Sequence, residues 1–154
     1  MKNLFVICFG LFIAGCSATG PAFIAVAPNE TEGVIYVYRP PRLANAGGAP
    51  KITLDGQERG RLSNGGYLAL RVPVGEHVVE QKYSIWDWDM RAPPVKLMVQ
   101  PGKSYFARLL TDATAGNVTS SAATTSFTIT RWISFQAVDD ATGLAEIRGL
   151  NLSE

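Results

Sequence analysis

The sequence is poor in the residues that build disulfides, metal sites and histidine-based catalysis. It has 154 residues, with two cysteines and one histidine, His77. A protein zinc site draws on several cysteine, histidine or carboxylate ligands, so a metal centre has little to form from, and we predict none. Two interpretations of His77 stay open. It is a general base or metal ligand, or it is a strand residue that follows the Pro73-Val74-Gly75 turn.

An excess of charge of one sign is also absent. Lysine and arginine total 14 and aspartate and glutamate total 13, which gives a formal net charge of +1. Nucleic-acid binding draws on a basic excess that contacts phosphates, so we expect no nucleic-acid partner. The chain also lacks the G-x-S-x-G nucleophile motif and a phosphate-binding glycine loop with its Lys-Ser/Thr ending. We therefore predict no catalytic residues, no cofactor and a protein that is not an enzyme.

Long apolar runs are missing except for one at the amino terminus, from Leu4 to Cys16, which follows Lys2. It is shorter than the roughly 20 residues that a membrane-spanning helix needs, and its basic start and small-residue end are typical of a secretory signal peptide. Its end, Ile13-Ala14-Gly15-Cys16, resembles the bacterial lipobox. This resemblance implies diacylglycerol on the Cys16 thiol, cleavage before Cys16 and acylation of the new amino terminus.

These features predict three segments: a lipoprotein signal peptide at 1–15, a tether at 16–32 and a folded domain at 33–154. The tether is rich in alanine, proline, glycine and threonine. Ser17 stands where an aspartate favours retention at the inner membrane of Gram-negative bacteria, so we predict an outer-membrane lipoprotein facing the periplasm. Cys8 leaves with the signal and Cys16 carries lipid, so the mature domain has no disulfide.

Short segments of alternating polar and apolar residues follow, separated by glycine, proline and asparagine turns. In 51–55, for example, Ile52 and Leu54 are expected to face inward. The predicted strands are 33–39, 51–55, 58–62, 67–72, 77–83, 95–99, 104–111 and 127–138. This spacing favours an antiparallel sandwich or barrel, and we predict an all-β, antiparallel β-sandwich-like domain. Gly56 and Gly65 are expected to adopt positive φ in their turns.

Both faces of the first strand, 33–39, are apolar, which predicts a central position in a sheet. The segments 42–50 and 112–125 are small and polar, and we predict loops there. Asp139-Asp140 is expected to cap a short carboxy-terminal helix that continues through Leu150.

A series of turn and strand motifs follows in order along the chain: Tyr36-Val37-Tyr38-Arg39-Pro40, Leu54-Asp55-Gly56, Asn64-Gly65-Gly66-Tyr67, Pro73-Val74-Gly75-Glu76-His77 and Gly102-Lys103-Ser104-Tyr105. This series resembles a bacterial lipoprotein family, the domain-of-unknown-function family 2846. The turns also resemble those of PEGA-type surface β-domains. The resemblance implies an all-β lipoprotein domain and supplies neither an activity nor catalytic residues.

One segment breaks the strand rhythm with two tryptophans, and it is the candidate binding loop: Trp86, Asp87, Trp88 and Asp89. Indole faces stack on sugars or on partner side chains, and carboxylates accept hydrogen bonds. The alternative is that the indoles plug an end of the sandwich. We predict a non-enzymatic binding or structural role, with the membrane reached through the lipid and a protein or cell-wall glycan as partner. The alternative is a hydrolase acting on cell-wall or surface polymers.

Overall fold

The computed structural model describes residues 17–82, 91–120 and 124–153. It is mostly β-strand with one short helix, which confirms the predicted all-β, sandwich-like domain. Within the described residues the elements are β1 Glu32–Arg39, β2 Lys51–Leu54, β3 Gln57–Arg61, β4 Gly66–Pro73, β5 Gly75–Lys82, β6 Val95–Val99, β7 Ser104–Ser120, β8 Thr125–Val138, α1 Asp140–Ile147 and β9 Asn151–Leu152.

The strands form two sheets. One has the order β8-β7-β1-β4-β9 and the other the order β3-β2-β5-β6. Most neighbours are antiparallel, but β1 pairs with β7 and β4 pairs with β9 in parallel. Between β1 and β7 the chain forms β2 and β3 in the second sheet, returns to the first sheet for β4, and then forms β5 and β6 in the second sheet. The predicted antiparallel character therefore holds for most of the ladder pairs.

The main core lies between the two sheets and follows the alternation seen in the sequence. Ile52 and Leu54 are 0% and 2% exposed, which confirms that they face inward. The side chains of β6 alternate between buried and exposed along the whole strand. Burying each large apolar side chain contributes about 1.5–3 kcal/mol relative to leaving it in water. This core holds the two sheets together.

A second core covers the outer face of the five-stranded sheet. Val34, Tyr36 and Tyr38 point to this side of β1, and Ile147 of α1 packs against the same cluster. The ring of Phe23, from the segment before β1, meets the ring of Tyr36 edge-on with centroids 5.4 Å apart. Strand β1 is therefore buried on both faces, which confirms its predicted central position.

The described part of the predicted tether, residues 17–31, follows the edge of the domain. The amide of Gly20 donates to the carbonyl of Leu152 at 3.2 Å, and the amide of Leu152 donates to the carbonyl of Pro21 at 2.8 Å. Further along, the amide of Phe23 donates to the carbonyl of Leu150 at 2.9 Å. The segment thus packs on the folded unit from Ser17 onward.

The carboxy-terminal helix begins as predicted and ends earlier. Asp139 is the N-cap residue, and its carboxylate accepts a hydrogen bond from the amide of Thr142 at 3.0 Å. The helix ends at Ile147, so the predicted continuation through Leu150 is wrong. The reason is tertiary: the next residues must be extended to pair with β4 and with the segment before β1. No helix in 17–82, 91–120 or 124–153 is long and apolar enough to cross a membrane.

The predicted loop at 112–125 is also wrong for 112–120, which belong to β7, and at Thr125, where β8 begins. Residues 121–123 lie outside the described part of the chain. Strands β7 and β8 pair along most of their length, and this region is a two-stranded ribbon with a register shift between Ala115 and Val118. Threonine and serine hydroxyls bond across it, as between Thr119 Oγ1 and Ser126 Oγ at 2.8 Å. The small polar residues of this region are exposed to solvent. The ribbon is held together by backbone hydrogen bonds between β7 and β8 and not by burial of side chains.

Candidate functional site

Two predicted sites lie outside the described residues. They are the lipidation residue Cys16 and the candidate binding loop of Trp86, Asp87, Trp88 and Asp89. Both stay predictions. Ser17 is the first described residue after Cys16, and Lys82 and Arg91 are the nearest described residues before and after the candidate binding loop.

The imidazole of His77 lies between two acceptors. Its Nδ1 is 2.7 Å from Oδ2 of Asp55, and its Nε2 is 2.9 Å from the carbonyl oxygen of Pro73. The other carboxylate oxygen of Asp55 accepts from the amide of Val78 at 2.9 Å. We call these contacts the Asp55–His77 clamp. It joins the turn after β2 to the turn before β5, so two of the sequence motifs meet in one hydrogen-bonded unit.

The clamp favours the charged form of both partners. Burial alone lowers the pKa of His77, but the hydrogen bonds to Asp55 and Pro73 outweigh it and hold that pKa above its ordinary value. The Val78 amide and then the His77 ring hold the pKa of Asp55 below its ordinary value. A doubly donating imidazolium satisfies both acceptors, because neither the carboxylate nor the carbonyl can donate.

This geometry favours the strand-residue interpretation of His77. The residue belongs to β5 and is 8% exposed. A general base needs an unprotonated ring nitrogen within reach of a substrate, and both nitrogens here are turned to protein acceptors. In the part of the chain that the structure describes, no three histidine, cysteine or acidic side chains are placed to hold a metal ion.

Arg39 is a buried organising residue that sequence reasoning missed. It is 0% exposed, and its guanidinium donates to the carbonyls of Gly48 at 2.5 Å and Asn45 at 2.6 Å. It also donates to Thr111 Oγ1 at 3.3 Å, and Thr111 in turn donates to the carbonyl of Ala44 at 3.1 Å. The loop 42–50 is therefore fixed against the ends of β1 and the middle of β7. The sequence signal for this role is the position of Arg39, which directly continues the buried stretch of β1.

A partly buried polar group links the sheet to α1. The hydroxyl of Tyr38 donates to one carboxylate oxygen of Glu146 at 2.6 Å, and Arg108 donates to the other at 2.7 Å. Burial, followed by the hydrogen bond to Glu146, raises the pKa of the Tyr38 hydroxyl, so it stays protonated. All three side chains are engaged with one another, which indicates a structural role.

The ribbon of β7 and β8 carries the exposed apolar surface. Val118 lies opposite Phe127, and Ala115 lies opposite Ile129, so these side chains share one face. Val118, Phe127 and Ile129 are 67%, 70% and 47% exposed. We call these residues, with Ala113 and Ala115, the apolar ribbon face. It continues the face that packs in the main core nearer the domain, where Leu109 and Phe135 are buried.

The opposite face of the ribbon is polar. Its side chains are hydroxylated along most of the projecting part: Thr114, Thr119, Ser126, Thr128 and Thr130. Among the described residues of the projecting part, the one large apolar side chain on this face is Trp132, at the base of the ribbon opposite Asp112, where it is 44% exposed. The ribbon is therefore amphipathic across its thickness.

Ser17 and the ribbon lie at the same end of the five-stranded sheet, which we call the Arg39 end. Gly66 of β4 lies opposite Arg39, and Ser17 forms a bridge with the nearby Asn64. Strand β7 runs parallel to β1 with Arg108 opposite Tyr38, so its remaining residues continue past the point where β1 stops. The first described residue, Ser17, and the projecting ribbon therefore lie at the same end of the sheet.

Comparison with known proteins gives one family and no individual relative. Residues 29–123 match the family model described as "Protein of unknown function (DUF2846)". No curated protein and no solved structure matches the chain. The matched stretch covers β1 to β7 and includes both partners of the Asp55–His77 clamp. The likeness to PEGA-type domains stays a prediction.

Proposed function

The chain belongs to the DUF2846 family of proteins of unknown function, and from its own residues we propose that it is a lipid-anchored protein of the bacterial cell envelope. Its role there is non-enzymatic, either binding a partner or supporting structure. The observation that carries this proposal is the run from Leu4 to Cys16, with its Ile13-Ala14-Gly15-Cys16 ending.

The anchor acts through chemistry at Cys16. A diacylglycerol thioether and an amide-linked fatty acid such as palmitate would place several acyl chains at the first residue of the mature protein. One chain gives only marginal membrane binding, whereas additional chains make it stable, since each buried CH₂ contributes about 0.8 kcal/mol. Ser17 at the next position is compatible with transport to the outer membrane, facing the periplasm.

The binding or structural role is supported by what the described side chains already do. His77 is held by Asp55 and Pro73, and Glu146 is held by Tyr38 and Arg108. These groups stabilise the domain with their reactive atoms engaged. The remaining candidates for recognition are the loop containing Trp86 and Trp88, directed at a protein or wall glycan, and the apolar ribbon face.

Metabolic labelling with a radioactive or clickable fatty acid tests the anchor. Wild-type protein should incorporate the label, and Cys16→Ser should not. Cys8→Ser is the matched control, because Cys8 lies within the signal peptide and its replacement should leave labelling intact. A Cys16→Ser protein that stays labelled and membrane-bound would show that the anchor is misassigned.

The binding role is tested by crosslinking in intact cells followed by purification of the protein with its partners. Trp86→Ala and Trp88→Ala should reduce partner capture while the unfolding transition stays at its wild-type position. A hydrolase would behave differently. Purified protein would release fragments from cell-wall polymer, and Asp87→Asn or Asp89→Asn would abolish that turnover with the fold intact.

A further inference from the structure

We propose that the apolar ribbon face is a second membrane contact, which lies in the headgroup region of the same bilayer that holds the Cys16 lipid. This inference rests on the proposed lipid anchor. The ligand is a phospholipid surface, and the part of the fold that would bind it is separate from the anchor. The residues that would touch lipid are Val118, Phe127 and Ile129.

The first observation is position. Ser17 is fixed beside Asn64 at the Arg39 end, so an acylated Cys16 would bring that end of the domain to the membrane. The ribbon leaves the domain at the same end. Residues 112–120 of β7, at about 3.3 Å each, give it a reach of about 30 Å. The ribbon therefore extends from the part of the protein that the lipid would hold closest to the bilayer.

The second observation is the distribution of exposed apolar side chains. Among the described residues, eight large apolar side chains are exposed, and five of them belong to the ribbon or to the neighbouring loop 42–50. These five are Leu43, Val118, Phe127, Ile129 and Trp132; Val118, Phe127 and Ile129 share the apolar ribbon face, whereas Trp132 lies on the opposite face. A soluble surface scatters such residues, whereas their concentration at one end marks an interaction surface.

Charge on the ribbon is low. In 112–120 and 124–133 the charged residues are Asp112, on the hydroxyl-rich face, and Arg131, which lies near the base of the apolar ribbon face opposite Ala113. Apolar and aromatic side chains with few charges suit the boundary between headgroups and acyl chains, and the long side chain of Arg131 can keep its guanidinium among the headgroups. An aqueous polymer such as wall glycan would instead be met by polar groups, and those lie on the opposite face.

The backbone limits how deep the ribbon can go. A two-stranded ribbon has unpaired N–H and C=O groups along its outer edges, and these cannot be buried in the hydrocarbon core without a large penalty. The ribbon would therefore lie along the interface with Val118, Phe127 and Ile129 turned toward the acyl chains. The hydroxyl-rich face would stay in water.

A second copy of the chain fits the apolar ribbon face less well. Two strands about 10 Å wide together and about 30 Å long present about 300 Å², whereas a stable dimer buries about 800 Å² on each partner. Contact with a bilayer needs no comparable minimum area, because the lipid at Cys16 would already hold the protein at the surface and the ribbon would add to that attachment.

Site-specific fluorescence on the lipidated protein tests this proposal. Single cysteines are introduced at Phe127→Cys and Ile129→Cys on the apolar face, with Thr128→Cys and Thr130→Cys on the opposite face as matched controls. Each protein is purified from membranes, labelled with an environment-sensitive maleimide and inserted into vesicles of phosphatidylethanolamine and phosphatidylglycerol. All four positions are exposed, so the substitutions leave the core unchanged.

The expected result is a blue-shifted emission at positions 127 and 129, with quenching by iodide several-fold weaker than at 128 and 130. Lipids carrying a quencher in the upper acyl chain should quench the first pair only. Four equally accessible positions would overturn the ribbon contact. Protection at 127 and 129 that rises with protein density and ignores the lipid quencher would overturn it in favour of a second copy.

Wild-type protein separates failure of this proposal from failure of the anchor. An acylated Cys16 has no free thiol, so the wild type should take up no maleimide. Label on the wild type would overturn the lipid anchor and with it the premise of the ribbon contact. An unlabelled wild type with four accessible ribbon positions would overturn the ribbon contact alone.

Discussion

Replacing Asp55 by asparagine should make the stability of the protein less dependent on pH. The substitution keeps an acceptor for the Val78 amide and tolerates the positive φ of 51° at this position, but it removes the charge opposite His77. A hydrogen bond between charged groups contributes about 1.5–3 kcal/mol when it is shielded. Because 46% of the Asp55 side chain is exposed, solvent screening brings this to about 1 kcal/mol.

The sign of the pH dependence follows from the two directions of shift. The folded state raises the pKa of His77, so its contribution is complete below the unfolded value of about 6.5 and is lost as pH rises through the folded value. The folded state lowers the pKa of Asp55, so its contribution is present above about 3.9 and is lost as pH falls through the folded value. The clamp is therefore strongest between about pH 4 and about pH 6.5.

Urea unfolding of the purified protein, followed by tryptophan fluorescence, measures this effect. Asp55→Asn should lower the free energy of unfolding by about 1 kcal/mol near pH 5.5 and by clearly less near pH 9. Glu58→Gln is the control, because Glu58 forms an exposed pair with Lys51 at 2.8 Å and has no histidine partner. A loss of equal size at both pH values would refute the linkage between His77 and Asp55.

Three further substitutions test a turn, the attachment of the loop 42–50 and the second core by thermal or urea unfolding. Gly56→Val should destabilise by about 1 kcal/mol or more through backbone strain alone, since φ is +79° and the added Cβ meets no other atom; unchanged stability would contradict the turn. Arg39→Lys should lose about 2–4 kcal/mol, because an ammonium cannot reach the carbonyls of both Asn45 and Gly48; a wild-type midpoint would contradict that role. Gly143→Ala should cost about 1–3 kcal/mol, because its Cβ would collide with the ring of Phe106; an unshifted transition would mean that α1 packs less closely.

The sequence predicted the parts of the fold in which burial and local chemistry point the same way. Ile52 and Leu54 alternate with polar neighbours and are buried as expected, and both faces of β1 are covered. Gly56 and Gly65 have φ of 79° and 68°, as their turns require. The Asp139 cap also follows from a local hydrogen bond. Local patterns carry this information because each depends on neighbouring residues only.

The missed features depend on partners far away in the chain. The ribbon has few buried side chains, so alternation gave no signal in 112–125, and only the pairing of β7 with β8 reveals it. Strand β9 and the end of α1 are set by contacts with β4 and with residues 20–23. Arg39 looked like the polar end of a strand, and its burial depends on carbonyls of the following loop and on Thr111.

For the candidate site, the sequence named residues and left their surroundings open. The two interpretations of His77 could not be separated without knowing that Asp55 and the Pro73 carbonyl face its ring nitrogens. The sequence does not reveal the apolar ribbon face. It predicts a strand for Phe127 and Ile129 but does not show what packs against either face of that strand. Cys16 is different, since the chemistry at a lipobox depends on a linear motif.

The mass of the amino-terminal peptide of the protein, extracted from bacterial membranes, tests the central claim most directly. We expect the mature chain to begin at Cys16 and to carry the added mass of a diacylglyceryl group on the thiol and a fatty acyl group on the amine. An amino-terminal peptide that retains residues 1–15, or one that begins at Cys16 with an unmodified thiol, would contradict the proposed lipid anchor.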